Sequence, residues 1–469
     1  MALPPKIQAF LEGAGIPHFV LEHPATRRIQ RAAVVAGVEP ARVARAVLLR
    51  RGGEYWLCVL PADRLIQFGE LNGLMGGPAD VVPPMEAARL FEDCAERTTP
   101  ALAPAYGLNA VVDESLRDLA SVYVAAGRHN CLLEVDGGAF VDVLRDARWG
   151  RFSRPLNAPR PLAQAAEEAA GYAPEGGAHD LLDHLHALPP MPQMAFQVLR
   201  LREDPNAGVD DLCRLMDQDP SLAAQIVRYA RAPFFGYRGQ IENVHDAIHR
   251  VLGFDMVVNI AVGLATGRMF RNPADGPLGL DAFWRHATYT AAIVQELARR
   301  MPPRKRPRLG LAYLSALLHN FGYLVLGHLF RSEFDMLNRL AAANPGTPII
   351  DIERQVLGLG EARQVGPGMG HTELGAWLMK RWELPGELVA TLSAHHDPDY
   401  RGPHANYVGL VLVADRLTRR LGLGDGDGEQ LPPAVLECLG LQTAVVEAVF
   451  EAVLAGSEGL DAMARQLAA

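Results

Sequence analysis

The second half of this 469-residue chain carries side chains suited to metal chemistry: His286, the adjacent pair His319 and Asn320, His371, the pair His395 and His396, and Asp415. Neutral imidazoles and a carboxylate on neighbouring helices can face one pocket and hold a divalent ion there. The carboxylate offsets the ion's charge, and the ion lowers the pKa of an attacking water. Asn320 is the discordant member, because its amide oxygen can coordinate but brings no negative charge and bridges two ions poorly. Five cysteines (Cys58, Cys94, Cys131, Cys213 and Cys438) lie scattered without a CxxC pair and read as thiols in a reducing compartment.

Two textures flank residue 155. Before it, short β-like runs alternate with helices, as in one α+β domain around a mixed sheet. Ala46 to Arg50 and Tyr55 to Val59 flank Arg51-Gly52-Gly53-Glu54, a hairpin signal. Ala110 to Val112, Ser121 to Ala125 and Cys131 to Val135 are further strands, the last turning at Asp136-Gly137-Gly138. Lys6 to Gly13 and Ile29 to Ala36 have helical patterning. Residues 154–179, rich in Pro, Ala and Gly, read as a linker with a short helical stretch. Helical periodicity then runs to the C-terminus. Asp204-Pro205 and Asp219-Pro220 each mark a helix start with Asp as cap. Gly422 to Glu429 reads as an acidic, Gly-rich loop before a helical tail from about Pro432.

Composition narrows the function classes. With 49% apolar and 21% charged residues the chain has ample material for two or three cores. A net charge of −9 argues against binding nucleic acid through the overall field. The first 155 residues are nearly neutral, with 17 basic and 18 acidic side chains, so the acidity lies downstream. The run Arg304-Lys305-Arg306-Pro307-Arg308 lacks interleaved aromatic residues and reads as a solvated loop. Neither a signal peptide nor a membrane span is expected, which gives a cytoplasmic assignment.

The helical part resembles the HDOD family, a bacterial regulatory relative of the HD phosphohydrolases. The resemblance rests on Leu188-Pro189-Pro190-Met191-Pro192, Val198-Leu199, Asp204-Pro205, Asp219-Pro220-Ser221-Leu222, Phe234-Phe235-Gly236, Ala247-Ile248 and Leu252-Gly253. It implies an all-α domain that serves as a signalling output or protein-interaction module. It also implies that His286, His319, His371, His395, His396 and Asp415 occupy metal-ligand positions, with Asn320 standing where the family's pivotal aspartate belongs. Tyr323 stands where the cyclic-dinucleotide hydrolases carry a lysine. The expectation is at most one weakly bound divalent metal ion, raised in occupancy by Asn320→Asp.

Residues 1–153 resemble the aminoacyl-tRNA deacylases of YbaK and prolyl-tRNA editing type. The matching residues are Gly15-Ile16-Pro17, His23-Pro24, Val43-Ala44-Arg45-Ala46-Val47, Val59-Leu60-Pro61-Ala62-Asp63, Ala110-Val111-Val112-Asp113-Glu114-Ser115-Leu116 and Tyr123-Val124-Ala125-Ala126-Gly127. That family hydrolyses the ester joining a wrong amino acid to tRNA, using a lysine and a Gly/Pro loop. Here Arg45 takes the lysine's place, and Thr98, Thr99 and Pro100 lie in a loop that has lost its glycines. Arg45 keeps a charge able to hold phosphate or ribose but cannot give up a proton. No residue is assigned a catalytic role, and the ligand-binding candidates are Arg45, Thr98, Thr99 and Pro100.

The resulting expectation is a YbaK-like domain (1–153), a linker (154–179), an HDOD domain (180–400) and a helical extension (401–469). The leading reading is a non-catalytic regulatory protein, with a protein partner at the HDOD domain and a tRNA end or amino-acid-like ligand at the first domain. An aminoacyl-tRNA deacylase and a metal-dependent HD phosphohydrolase stand as alternatives.

Overall fold

A computed structural model describes residues 3–156, 190–357 and 369–468, apart from 205, 238, 346 and 426–429. The linker helix expected within 154–179, and the Leu188-Pro189 start of the HDOD motif, fall largely outside the described residues. The chain divides into two compact units. One comprises residues 1–173 with the segment Arg339–Thr347; the other comprises Pro174–Asn338 and Pro348–Ala469.

The first unit is built on strands β1 (His18–Glu22), β2 (Val43–Arg51), β3 (Glu54–Pro61), β4 (Arg64–Ile66), β5 (Asp80–Val81), β6 (Asn109–Asp113), β7 (Ser121–Ala125), β8 (Cys131–Asp136), β9 (Arg148–Gly150) and β10 (Ser153–Pro155). The main sheet runs β1-β8-β7-β2-β3-β6-β9, with β5 also on β2 and a small β4–β10 sheet beside it. Pairings β2–β7, β3–β6 and β6–β9 are parallel and the others antiparallel, so the sheet is mixed. The predicted hairpin is present, with Gly52 and Gly53 at positive φ between β2 and β3.

Alternation along β2 assigns its two faces. Ala44 and Leu48 enter the larger core with Leu57, Val59 and Val124, while Val43 points to the other face with Ala33, Ala62 and Tyr123. Arg45 shares the parity of Val43. Sequence reasoning misread the segment after β8: Asp136 does not turn the chain but caps a helix, Gly137–Val143, by accepting from Ala139 N–H at 3.2 Å.

The second unit is helical among its described residues. Asp219 caps helix Pro220–Ala230 as expected, accepting from Leu222 N–H at 2.9 Å. Asp204 does not start a helix. It ends Gln193–Glu203, and the next helix begins at Val209. The 21-residue helix Leu280–Arg300 is buried along most of its length and forms the unit's spine. Helices Leu309–Leu318 and Phe321–Leu329 follow in close succession. Together Leu309–Leu329 are long enough to cross a membrane and apolar enough in their best window, of mean hydropathy 1.5, contrary to the expectation that no such stretch exists. Their most apolar window is 94% buried within the fold, which accounts for the composition without a bilayer.

Candidate functional site

Five stretches of the helical unit deliver the metal-type side chains. His286 comes from Leu280–Arg300, and His319 and Asn320 from the break between Leu309–Leu318 and Phe321–Leu329. His371 opens helix His371–Arg381, His395 and His396 follow Gly386–Ala394, and Asp415 sits within Ala405–Arg419. All are buried. Close helix approach is enforced by glycine: a Cβ on Gly322 would collide with the backbone carbonyl of His371.

The structure brings these residues together in two groups that share a residue the sequence reading did not single out. One group is His286, His319, Asp415 and Asp425; the other is His371, His395, His396 and Asp425. Asp425 comes from the Gly-rich segment after helix Ala405–Arg419, read from sequence as a plain acidic loop. No motif spacing marks it. The available cue is one of charge: a carboxylate is missing at 320, and acids lie downstream in Asp425-Gly426-Asp427.

Asn320 lies beside the carboxylate that the two groups share. Its Nδ2 donates to Asp425 Oδ1 at 2.9 Å. The Tyr323 hydroxyl donates to Asp425 Oδ2 at 2.9 Å while its ring stacks on His371 at 4.3 Å. Tyr323, read from sequence as a lost phosphate contact, thus positions a carboxylate. Asp397 and Asp399 form a turn, with Asp399 N–H donating to Asp397 Oδ1 at 2.8 Å.

Tautomers follow from the hydrogen bonds. His319 Nδ1 lies 2.7 Å from Ala316 O, and His395 Nδ1 lies 3.1 Å from Thr391 O and Leu392 O. Carbonyls only accept, so both Nδ1 atoms carry the proton. His371 Nδ1 meets Glu353 Oε1 at 2.8 Å, a buried carboxylate behind the imidazole that sequence reasoning also missed. Thr418 Oγ1 gives its proton to Asp415 O, so His286 Nδ1, 3.3 Å away, donates to it. In neutral rings with the proton on Nδ1, the Nε2 atoms of His319 and His395 face inward as lone pairs. Burial, reinforced by His286, pushes His319 down to about 4, and burial followed by its histidine neighbours holds His395 well below its ordinary value. Burial acts to raise the Asp425 carboxyl. The His396 hydrogen bond and the nearby histidines outweigh it and keep Asp425 well below the usual range.

These atoms fit divalent ions. His286 and His319 Nε2 are 3.0 Å apart, His371 and His396 Nε2 3.2 Å, and His371 and His395 Nε2 3.4 Å. Imidazole nitrogens about 2.0–2.1 Å from one ion are separated by roughly 3.0–3.4 Å in octahedral to tetrahedral geometry. A proton can link one such pair at a time, whereas a central cation serves them all. Asp415 Oδ1 and Asn320 Oδ1 are buried without a hydrogen-bond partner, although His286 Nε2 lies 3.2 Å from the former. A cation between this nitrogen and oxygen would satisfy both as ligands.

In the first unit, Arg45 is only 6% exposed. Its Nη1 donates to Ala343 O at 3.0 Å, and its Nη2 to Arg64 O at 3.0 Å and to Asn344 Oδ1. Burial lowers it to about 10, so it remains a cation at neutral pH. Residues 339–347 are held in this unit by further contacts. Arg339 donates to Ala79 O at 3.3 Å and lies over the Phe68 ring at 4.3 Å, and Gln30 Nε2 donates to Thr347 Oγ1 at 3.1 Å. Thr98 Oγ1 turns back onto Ala95 O at 2.6 Å, and Pro100 is buried. Among the described residues, the hydrogen bonds of Arg45 go to Ala343, Asn344 and Arg64 and not to Thr98, Thr99 or Pro100. The basic run is a satisfied loop, with Lys305 on Glu437 O and Arg308 on Glu387.

Comparison with known proteins agrees with both halves. The aminoacyl-tRNA editing domain model matches residues 23–143 and the HDOD domain model matches 188–398. A solved structure from Marinobacter aquaeolei VT8, provisionally described as a signal transduction protein, is 28% identical with a TM-score of 0.78 over 100% of both chains. An HDOD domain protein of unknown function from Geobacter sulfurreducens shares the helical fold at 20% identity and TM-score 0.50, covering 61% of this chain and 97% of its own. An uncharacterized protein of Treponema pallidum (strain Nichols) is 24% identical over 268 residues, 57% of this chain and 48% of the relative. The chain thus spans about half the length of that curated relative.

Proposed function

This chain joins a YbaK-like aminoacyl-tRNA editing domain to an HDOD domain, and from that premise we propose a bacterial, cytoplasmic regulatory protein that binds rather than turns over. The observation that carries this reading is the state of Arg45. Its guanidinium stays charged at neutral pH, and two of its nitrogens are committed to Ala343, Asn344 and Arg64. The catalytic position of the editing fold is therefore spent on the protein's own chain.

The same contact suggests how binding would be relayed. A phosphate or carboxylate of a tRNA end or an amino-acid-like ligand would compete for Arg45 with Ala343 O and Asn344 Oδ1. Helix Arg331–Ala343 carries that segment and continues covalently from Asn338 of the helical unit. Ligand binding would thus free the end of a helix whose start belongs to the HDOD domain, which in turn would present a surface to a protein partner.

The test uses the full chain and mischarged aminoacyl-tRNA. We expect no amino-acid release above the uncatalysed rate, from wild type or from Arg45→Ala. Release by wild type that Arg45→Ala abolishes would establish the alternative, an aminoacyl-tRNA deacylase. The second alternative, a metal-dependent HD phosphohydrolase, predicts that metal-loaded protein releases phosphate from a nucleotide or opens a cyclic dinucleotide to its linear form. Burial of every grouped ligand argues against it, because catalytic metal sites keep a coordination position open.

A further inference from the structure

We propose that Asp425 is the bridging carboxylate of a two-cation centre and takes over, from a different part of the chain, the charge that Asn320 does not supply. The inference concerns metal binding alone and stands whether or not the protein turns over a substrate.

The two oxygens of Asp425 face different groups. Oδ1 lies 3.7 Å from His286 Nε2, whereas Oδ2 lies 3.4 Å from both His371 Nε2 and His396 Nε2. That is the disposition of one carboxylate shared between two ions. Each ion would then have four protein ligands: His286, His319, Asp415 and Asp425 for one, His371, His395, His396 and Asp425 for the other. Mixed imidazole and carboxylate donors suit divalent first-row transition ions such as zinc, manganese or iron.

The exchange of residues is reciprocal. An aspartate at 320 would set two carboxylates 2.9 Å apart, but the asparagine there donates to Asp425 Oδ1 instead. Tyr323 holds the other oxygen. The loop is shaped for the approach: Gly424 has φ +75°, and a Cβ there would lie 2.8 Å from His286 Nε2 and closer still to its Cε1 and Nδ1. Asn320, Tyr323, Gly424 and Asp425 thus make a single arrangement in which the amide is the anchor for the relocated acid.

The experiment loads chelator-treated full-length protein with Mn²⁺ and measures stoichiometry by elemental analysis, affinity by calorimetric titration, and ion–ion coupling by electron paramagnetic resonance. Wild type is expected to bind two ions per chain with a spin-coupled signal. Asp425→Asn, which preserves shape, is expected to lose the coupling and to bind at least roughly tenfold more weakly. The swapped variant Asn320→Asp with Asp425→Asn is expected to regain two coupled ions, because the same hydrogen bond is rebuilt in reverse. That rescue separates ligation from folding should Asp425→Asn prove unstable. Two coupled ions in Asp425→Asn at wild-type affinity would overturn the proposal, as would fewer than two in wild type.

Discussion

Gly424→Ala tests the fit of the Asp425 loop against His286 most directly. The substitution acts twice. Left-handed backbone costs an L-residue about 1–2 kcal/mol. The new methyl would also stand well inside the 3.5–4.0 Å optimum for carbon contacts, against a ring with little freedom to retreat. His286 is 3% exposed and held between Thr418, His319 and Asp415. Overpacking of that kind costs about 1–3 kcal/mol, so the folded helical unit should lose about 2–5 kcal/mol if the loop stays in place. If it withdraws instead, Asp425 forfeits its bonds to Asn320 and Tyr323, each about 1.5–3 kcal/mol as hydrogen bonds to a charged group.

Both routes are costly, and both disturb metal binding. The matched control is Gly236→Ala, where φ is +67° but nothing lies within 4 Å of the added Cβ. Urea unfolding of the metal-free proteins, followed by the helical signal, isolates the steric part as the difference between the two variants. Manganese titration of each then reports on the centre. Equal destabilisation by both substitutions, with unchanged metal binding in Gly424→Ala, would show that the loop is not fitted against His286.

Tyr323→Phe keeps the ring on His371 but removes the hydroxyl from Asp425 Oδ2, so manganese should bind roughly tenfold more weakly by titration, with little change in circular dichroism. Metal-free protein should lose stability in acid, because His319 titrates near 4 when folded and near 6.5 when unfolded. Above 6.5 neither state is protonated there; as pH falls through that window the unfolded chain takes the proton first, removing about 3 kcal/mol by pH 4. Urea midpoints from pH 7 to 4 measure it, and a flat profile would contradict the burial of a neutral imidazole. Asn344→Ala removes one acceptor from Arg45, so an arginine-directed dicarbonyl reagent should modify Arg45 faster than in wild type, as read by peptide mass mapping.

The order of strands and helices was largely legible because hairpin signals, caps and apolar periodicity are local. The five histidines and Asp415 were legible as a group because metal chemistry restricts residue types. Asp425 was not, since nothing local distinguishes a ligand from a solvated acid in a Gly-rich loop; only the fold carries it 105 positions back to Asn320. Glu353 and the positioning role of Tyr323 escaped for the same reason, since they act through His371 and Asp425 rather than through any spacing of their own. Asn320 itself misled in an instructive way. The residue type correctly signals a missing charge at 320, but the charge of a site belongs to the pocket, and another segment can restore it. Arg45 was recognised as a changed position, while its engagement by Ala343 and Asn344 depends on residues about 300 positions away.

Closure of the proposed metal centre leads to a kinetic consequence. His319, His371 and His395 are fully buried, Asp415 and Asp425 nearly so, and Gly424 lies against His286. A chelator therefore has no open coordination position to attack, unlike the open geometry of a catalytic site. Ions should leave only when the segment carrying Gly424 and Asp425 opens, a local unfolding event with its own rate. Release from loaded protein into excess chelator should then be independent of chelator concentration once the chelator is abundant. Gly424→Ala and Tyr323→Phe, which weaken the hold on that segment, should raise the plateau rate. A release rate rising linearly with chelator concentration would show direct access to the ions, and would return the helical half to consideration as a hydrolase.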